Sequence, residues 1–319
     1  MNVDLVLNNF TNPAFLFFLL GIVAVQLRSD LQIPTTSSKF LSLYLLFAIG
    51  FRGGQELAHE HFSWSVVGVI GLGLASAVVI PLYSFFILRR RLNVYDAGAV
   101  AASYGSVSAV TFVTATLFLE SMQQSLHGYM VATMAMMEAP AIIVGLLLIN
   151  FFGDRAERVR KRVAIHHALT NGSVLMVLGS LFIGLLATEK QAAGIRPFTN
   201  DIFQGFLALF LLDMGVATGK NLKAFFKYGW FALLFALLMP LINGVVFAYM
   251  SGWFTDVVSD RFLVSVLAAS ASYIAVPAAM RIAVPKANPG LFLPMALGVT
   301  FPVNITIGLP LYYALVSNF

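Results

Sequence analysis

Two things are scarce in this 319-residue chain: cysteine, which is absent, and charge, carried by only 10% of residues. The first absence excludes disulfides, thiolate metal centres and cysteine nucleophiles, and leaves the redox compartment open. The second excludes an ordinary water-soluble domain, in which roughly 25% of residues are charged. The start of the chain also lacks basic residues. Met1–Asn12 contains no Lys or Arg and one acid, Asp4, so a cleavable signal peptide is not expected there.

What is present is apolar: 59% of residues are hydrophobic and the mean hydropathy is +0.87. The length suits about ten membrane helices at roughly 20 residues each plus short connections. Apolar runs between charge and turn breaks give ten segments: Pro13–Leu27, Phe40–Gly50, Trp64–Leu88, Ala97–Leu119, Tyr129–Phe152, Ser173–Thr188, Ile202–Ala217, Tyr228–Met250, Phe262–Val284 and Leu291–Val316. None alternates with the period of a barrel strand, and lipid cannot satisfy an open backbone, so an all-α polytopic membrane protein is expected.

The few cations set the orientation. With ten spans, fourteen Lys and Arg fall in the loops of one side, including Arg89–Arg91, Arg155–Arg162 and Lys220–Lys227, and four (Arg52, Lys190, Arg196 and Arg261) on the other. The richer side is read as cytoplasmic, with both termini outside. The net charge of +5 therefore reports topology and gives no reason to expect nucleic acid. The basic stretch Asp154–Arg162 reads as an anchor to anionic lipid heads.

Ten spans divide into two fives, residues 1–153 and 173–319, joined by a linker at 154–172. Ala101-Ala102-Ser103 matches Ala268-Ala269-Ser270, and Ile49-Gly50 with Gly54 matches Met214-Gly215 with Gly219. Pro81-Leu82 matches Pro240-Leu241, and Pro140 with Gly145 matches Pro302 with Gly308. Five is odd, so the second half must be inverted, the plan of secondary transporters. Spans four and nine are interrupted by Tyr104-Gly105-Ser106-Val107-Ser108 and by Ser270-Ala271-Ser272-Tyr273-Ile274-Ala275-Val276-Pro277. Such runs can serve close packing; at matched positions they predict discontinuous crossing helices. A break frees N–H groups that attract an anion and C=O groups that attract a small cation.

Three ionisable residues lie inside spans: Glu138, Asp213 and Arg281. Glu138 stands beside Pro140, which frees a carbonyl about one turn earlier, a setting suited to Na⁺. Asn304 offers a neutral oxygen from the matching place. The alternative is a structural ion pair between Glu138 and Arg281. Asp213 reads as solvated near a helix end. Enzyme signals are weak: Asp96 with Asp213 lacks flanking glycines, His59-Glu60-His61 sets its histidines on different helix faces, His166-His167 lies in the basic loop, and Gly71-Leu72-Gly73 lacks a third glycine. No enzyme is expected.

These motifs resemble the SbtA-type sodium-dependent bicarbonate transporters. The resemblance rests on Gly105-Ser106-Val107-Ser108-Ala109-Val110-Thr111, Glu138-Ala139-Pro140-Ala141, Ala268 through Pro289, and Gly298 through Pro310. It implies ten helices in two inverted repeats, with helices 1, 2, 6 and 7 as a gate domain. Helices 3–5 and 8–10 would form a core that moves against the gate. It also implies a homotrimer in the bacterial inner membrane, importing bicarbonate with Na⁺ as coupling ion and no cofactor. By position, the anion would meet Gly105, Ser106, Val107, Ser108, Ser270, Ser272, Tyr273, Ile274 and Ala275, and Na⁺ would meet Ser108, Thr111, Glu138 and Asn304.

Departures stand beside it: Tyr273 where the family has Asp, Ala275 for Ser, Ala279 for Thr, and Glu138 for Asp. They admit a different coupling ion or another small carboxylate as cargo. The short linker argues against the family's PII-like regulator. A cation/proton antiporter using Glu138, and an anion sensor without transport, are the alternatives.

Overall fold

The computed structural model describes residues 13–60, 63–153, 172–225 and 229–318, in which every regular element is helical. The basic stretch Asp154–Arg162, His61 and the pair His166-His167 lie outside the described residues.

The helices are α1 (Pro13–Gln26), α2 (Thr35–Ala58), α3 (Trp64–Leu88), α4 (Val94–Gly105), α5 (Ala109–Ser121), α6 (Gly128–Phe152), α7 (Gly172–Leu186), α8 (Glu189–Arg196), α9 (Phe203–Phe225), α10 (Gly229–Ser251), α11 (Val258–Ala268) and α12 (Ala275–Ala283). The last, α13, runs over Pro289–Ser317 and is widened by π turns at Ala296–Thr300 and Asn304–Gly308. Among the described residues, six stretches are long and apolar enough to cross a membrane: α3, α4 with α5, α6, α8 with most of α9, α10 and α13. The described parts of α1 and α7 are apolar but shorter.

The second helix is longer than its apolar run predicts, spanning Thr35–Ala58 where Phe40–Gly50 was expected. Its polar ends are tolerated because distant elements satisfy them. Ser38 donates to Asp213 of α9, Arg52 pairs with Glu120 of α5, and the Gln55 amide donates to the Ala187 carbonyl at 2.9 Å. Asp213 is thus half-buried and bonded, contrary to the expectation of a solvated carboxylate.

Two glycine seams organise the packing. α1 lies along α9 and α2 along α7, each pair in extensive contact. A Cβ on Gly21 would strike the α9 backbone at Leu212, Gly215 and Val216, and one on Gly215 would strike Phe18 and Gly21. In the other seam, Gly54 abuts Leu181, Gly184 and Leu185, and Gly184 abuts Phe51. Gly50 also faces α7, against Val177 and Ser180, and Gly219 faces Val25 of α1. The glycines paired in the sequence, Gly50 and Gly54 with Gly215 and Gly219, thus all lie on the seams, in the same order along each helix.

The remaining helices pack around α4 and α11: α3, α4 and α6 touch one another, and α10 lies on α11. Proline at 240 removes the donor for the carbonyl of Ala236. The Thr300 hydroxyl supplies a replacement at 2.8 Å and is itself 2.7 Å from the Tyr104 hydroxyl. Arg261, assigned to a loop by the charge count, lies in α11. It is only 6% exposed and donates to the Ala248 carbonyl at 3.3 Å. Trp230 and Trp253, both largely exposed, flank the two ends of α10, as aromatic residues do at the two interfaces of a bilayer.

Candidate functional site

Both expected breaks are present. The first is Ser106–Ser108, between α4 and α5. The Ser108 hydroxyl accepts from the Thr111 amide at 3.1 Å and from the Thr111 hydroxyl at 2.9 Å, so this serine is an ordinary N-cap of α5. Gly105 is needed just before it, because a Cβ there would run into the Pro81 ring of α3.

The second break, 269–274, separates α11 from α12 and is longer. The Ser272 hydroxyl accepts from the Val276 amide at 3.3 Å. One residue of the first break's helix grips it: the Ser103 carbonyl accepts from the Ser272 amide at 2.7 Å, and the Ser103 hydroxyl donates to the Ser272 carbonyl. The carbonyl of Ala269 accepts from the Asn304 amide of α13 at 2.7 Å, and the Tyr312 hydroxyl donates to the Asn304 carbonyl at 3.2 Å. Two carbonyls orphaned at helix ends are therefore already bonded within the protein.

The breaks meet at a small cavity of about 20 Å³, room for about one water-sized particle. Val107, Ser108 and Ala109 line it from the N-terminus of α5, and Ser272, Tyr273, Ile274 and Ala275 from that of α12. Glu138 enters from α6, with Leu46 of α2 and Ser173 of α7 completing the wall. Glu138 is only 8% exposed and its Oε2 has no hydrogen-bond partner among the described residues; the Tyr273 hydroxyl is buried close to Ser108. Two helix N-termini and one buried carboxylate thus share one small space, a combination that suits an anion and a monovalent cation together.

A family model described as the Na⁺-dependent bicarbonate transporter superfamily matches residues 13–317. The chain belongs to that superfamily. It is a family of transporters, not enzymes, and with six helices suited to crossing a membrane this transporter is a multi-pass membrane protein. No curated protein matches it.

Of the residues singled out in the sequence of this bicarbonate-transporter relative, Val107, Ser108, Ser272, Tyr273, Ile274, Ala275 and Glu138 come together at the cavity. Thr111 is adjacent through its bond to Ser108. Gly105, Ser106 and Ser270 do not line it: Gly105 serves the approach of Pro81, and Ser270 donates to the Val266 carbonyl of its own helix at 2.7 Å. Ser106 is fully buried beside the site and its hydroxyl is unpartnered. Asn304 bonds at Ala269 and Tyr312, apart from Glu138 and the cavity wall.

The proposed pair of Glu138 with Arg281 is not formed. Glu138 is buried, whereas Arg281 is exposed in the last turn of α12, where a cation complements the helix dipole. Ser103 and Thr300 were missed as organisers of the site. The only signal for Ser103 was its match to Ser270, and the two serines turn out to bond in different directions.

Proposed function

We propose that this chain imports bicarbonate together with Na⁺, through ten helices in two inverted five-helix repeats. α1, α2, α7 and α9 correspond to the gate, and the helices around α4–α5 and α11–α12 to the core that moves against it. The pairwise glycine seams support that division, since they join first-repeat to second-repeat helices in the same reciprocal manner. The observation that carries the reading is the shared cavity, where the N-termini of α5 and α12 face Glu138.

In this reading Na⁺ sits against Glu138 and the Ser108 hydroxyl, and bicarbonate is held by the two N-termini. The cavity admits one water-sized particle in the state described, so the anion enters when the wall formed by Leu46 and Ser173 draws back. Each ion offsets the charge of the other, and each raises the other's affinity by the same factor. Asn304 is left out of the Na⁺ site because its amide and carbonyl hold α11 and α13 together. The assembly is a homotrimer in a bacterial inner membrane, with both termini outside.

Uptake of labelled bicarbonate into proteoliposomes, with and without an inward Na⁺ gradient, tests the proposal. Accumulation that depends on the gradient is expected; equal accumulation in both conditions overturns Na⁺ symport. A second reading, cation/proton exchange at Glu138, is favoured by one observation: among the described residues Glu138 is the only carboxylate lining the cavity. Proton release on adding Na⁺ with no need for bicarbonate would select it.

A further inference from the structure

Away from the central cavity, three connections meet at the N-terminal end of α6: the turn after α2, the turn before α6, and Gly252–Val257 between α10 and α11. They surround an open pocket of about 560 Å³, lined among others by Glu60, His127, Tyr129, Asp256 and Asp260. His127 Nδ1 lies 2.8 Å from Asp260 Oδ1, and the Tyr129 hydroxyl donates to the other oxygen of Asp260. Glu60 Oε1 accepts from the Gly128 amide at 2.7 Å, and the backbone amide of Tyr129 also interacts with this carboxylate.

Two features distinguish this cluster from polar packing. Glu60 ends the α2 segment and Gly128 begins α6, so their bond joins a helix of a glycine seam to the bundle around α4. The cluster is also wet on one side only. The Asp260 side chain is 1% exposed and that of His127 30%, so bulk protons reach the imidazole but not its partner carboxylate.

We infer that Glu60, His127 and Asp260 form a proton-operated latch between the end of α2 and the N-termini of α6 and α11, closed while His127 is protonated. Among the described residues no Lys or Arg lines the pocket. Asp256 faces it, Glu56 is exposed one turn back on α2, and Arg261 is turned toward the Ala248 carbonyl. Among the described residues the imidazolium is therefore the cation that faces the two carboxylates, buried Asp260 and half-buried Glu60.

The sign follows from the surroundings, which lie outside the spans. The hydrogen bond to Asp260 holds His127 above the ordinary imidazole value of 6.5, and desolvation raises Glu60 above the ordinary carboxylate value of 4.5. Groups whose pKa is raised in the closed form bind protons more tightly there. The closed form is thus favoured at low pH and lost as pH rises through the raised His127 value. Dissolved carbon dioxide becomes bicarbonate as pH rises, so the latch would release where the substrate is abundant. Only this last step rests on the transport reading.

Because the chain has no cysteine, Ala58→Cys and Ser125→Cys, both at exposed positions, give a unique pair of nitroxide sites across the latch. Their dipolar broadening in lipid vesicles would be followed from about pH 5 to about pH 9, the range over which a shifted histidine titrates. The expected result is a change between near and far populations, with the ratio moving about tenfold for each unit by which the His127 pKa differs between them. His127→Gln should remove the transition. Glu60→Gln, which keeps an acceptor for Gly128 but loses the charge, should move the midpoint to lower pH.

A wild-type spectrum independent of pH, or a transition unchanged in His127→Gln, overturns the latch. If His127→Gln does not fold, a wild-type midpoint in Glu60→Gln overturns it equally. Bicarbonate uptake at constant bicarbonate concentration separates the two proposals. Titrating spectra with no uptake at any pH sink the transport reading and leave the latch. Na⁺-driven uptake with unmoving spectra does the reverse.

Discussion

The two helix breaks stand at matching places in the sequence yet are held open by different means. The first spans three residues, 106–108, and caps itself: Ser108 takes the Thr111 amide and the chain re-enters a helix at once. The second spans six, 269–274, and depends on others, with Ser103 of α4 holding the Ser272 peptide and Asn304 of α13 holding the Ala269 carbonyl. A short break can be stable on local chemistry alone, whereas a long one needs partners that folding must bring to it. The borrowed partners also make the second break report on the packing of α4 and α13.

The contrast can be broken by substitution. The largest effect is expected for Asn304→Leu, which strands the buried Ala269 carbonyl and should lower stability by about 2–3 kcal/mol. Unfolding in detergent would measure it, and hydrogen exchange should rise at 269–274 while 106–108 stays protected. Exchange rising first at 106–108 would reverse the comparison. Ser103→Ala comes next. It loses one hydroxyl donor but keeps the backbone bond to Ser272, for an expected loss of about 1 kcal/mol, in the range of hydrogen bonds between membrane helices. The smallest effect belongs to Ser270→Ala, within about 0.5 kcal/mol, because that hydroxyl only back-bonds to its own helix. Equal losses for the Ser103 and Ser270 variants would show that the sequence-matched serines are matched in role as well.

What was legible in the sequence was whatever depends on local composition. Apolar runs located the long helices α3, α6, α10 and α13, and the Ser- and Gly-rich interruptions marked both breaks to within a few residues. The ends of α2 were illegible because Ser38, Arg52 and Gln55 are satisfied by Asp213, Glu120 and Ala187, residues 68 or more positions away in the chain. The same limit explains the unformed Glu138–Arg281 pair, since opposite charges in two spans need not face each other. It also explains Glu60, dismissed as part of a poor metal motif, whose real partner is the Gly128 amide. At the cavity, Ser108, Tyr273 and Glu138 were found because hydroxyls and carboxylates are conspicuous in apolar helices. Ser103 and Thr300 were passed over because their work is to hold backbone.

The grip of Ser103 on Ser272 has one more consequence. The Ser272 amide and carbonyl belong to two successive peptide groups, so one residue holds the planes on both sides of the Ser272 Cα, and neither can turn without losing a hydrogen bond. The dipoles of the second break are thus oriented before any ligand arrives, and little conformational freedom remains there to be lost on binding. Preorganisation of this kind favours affinity without any additional contact.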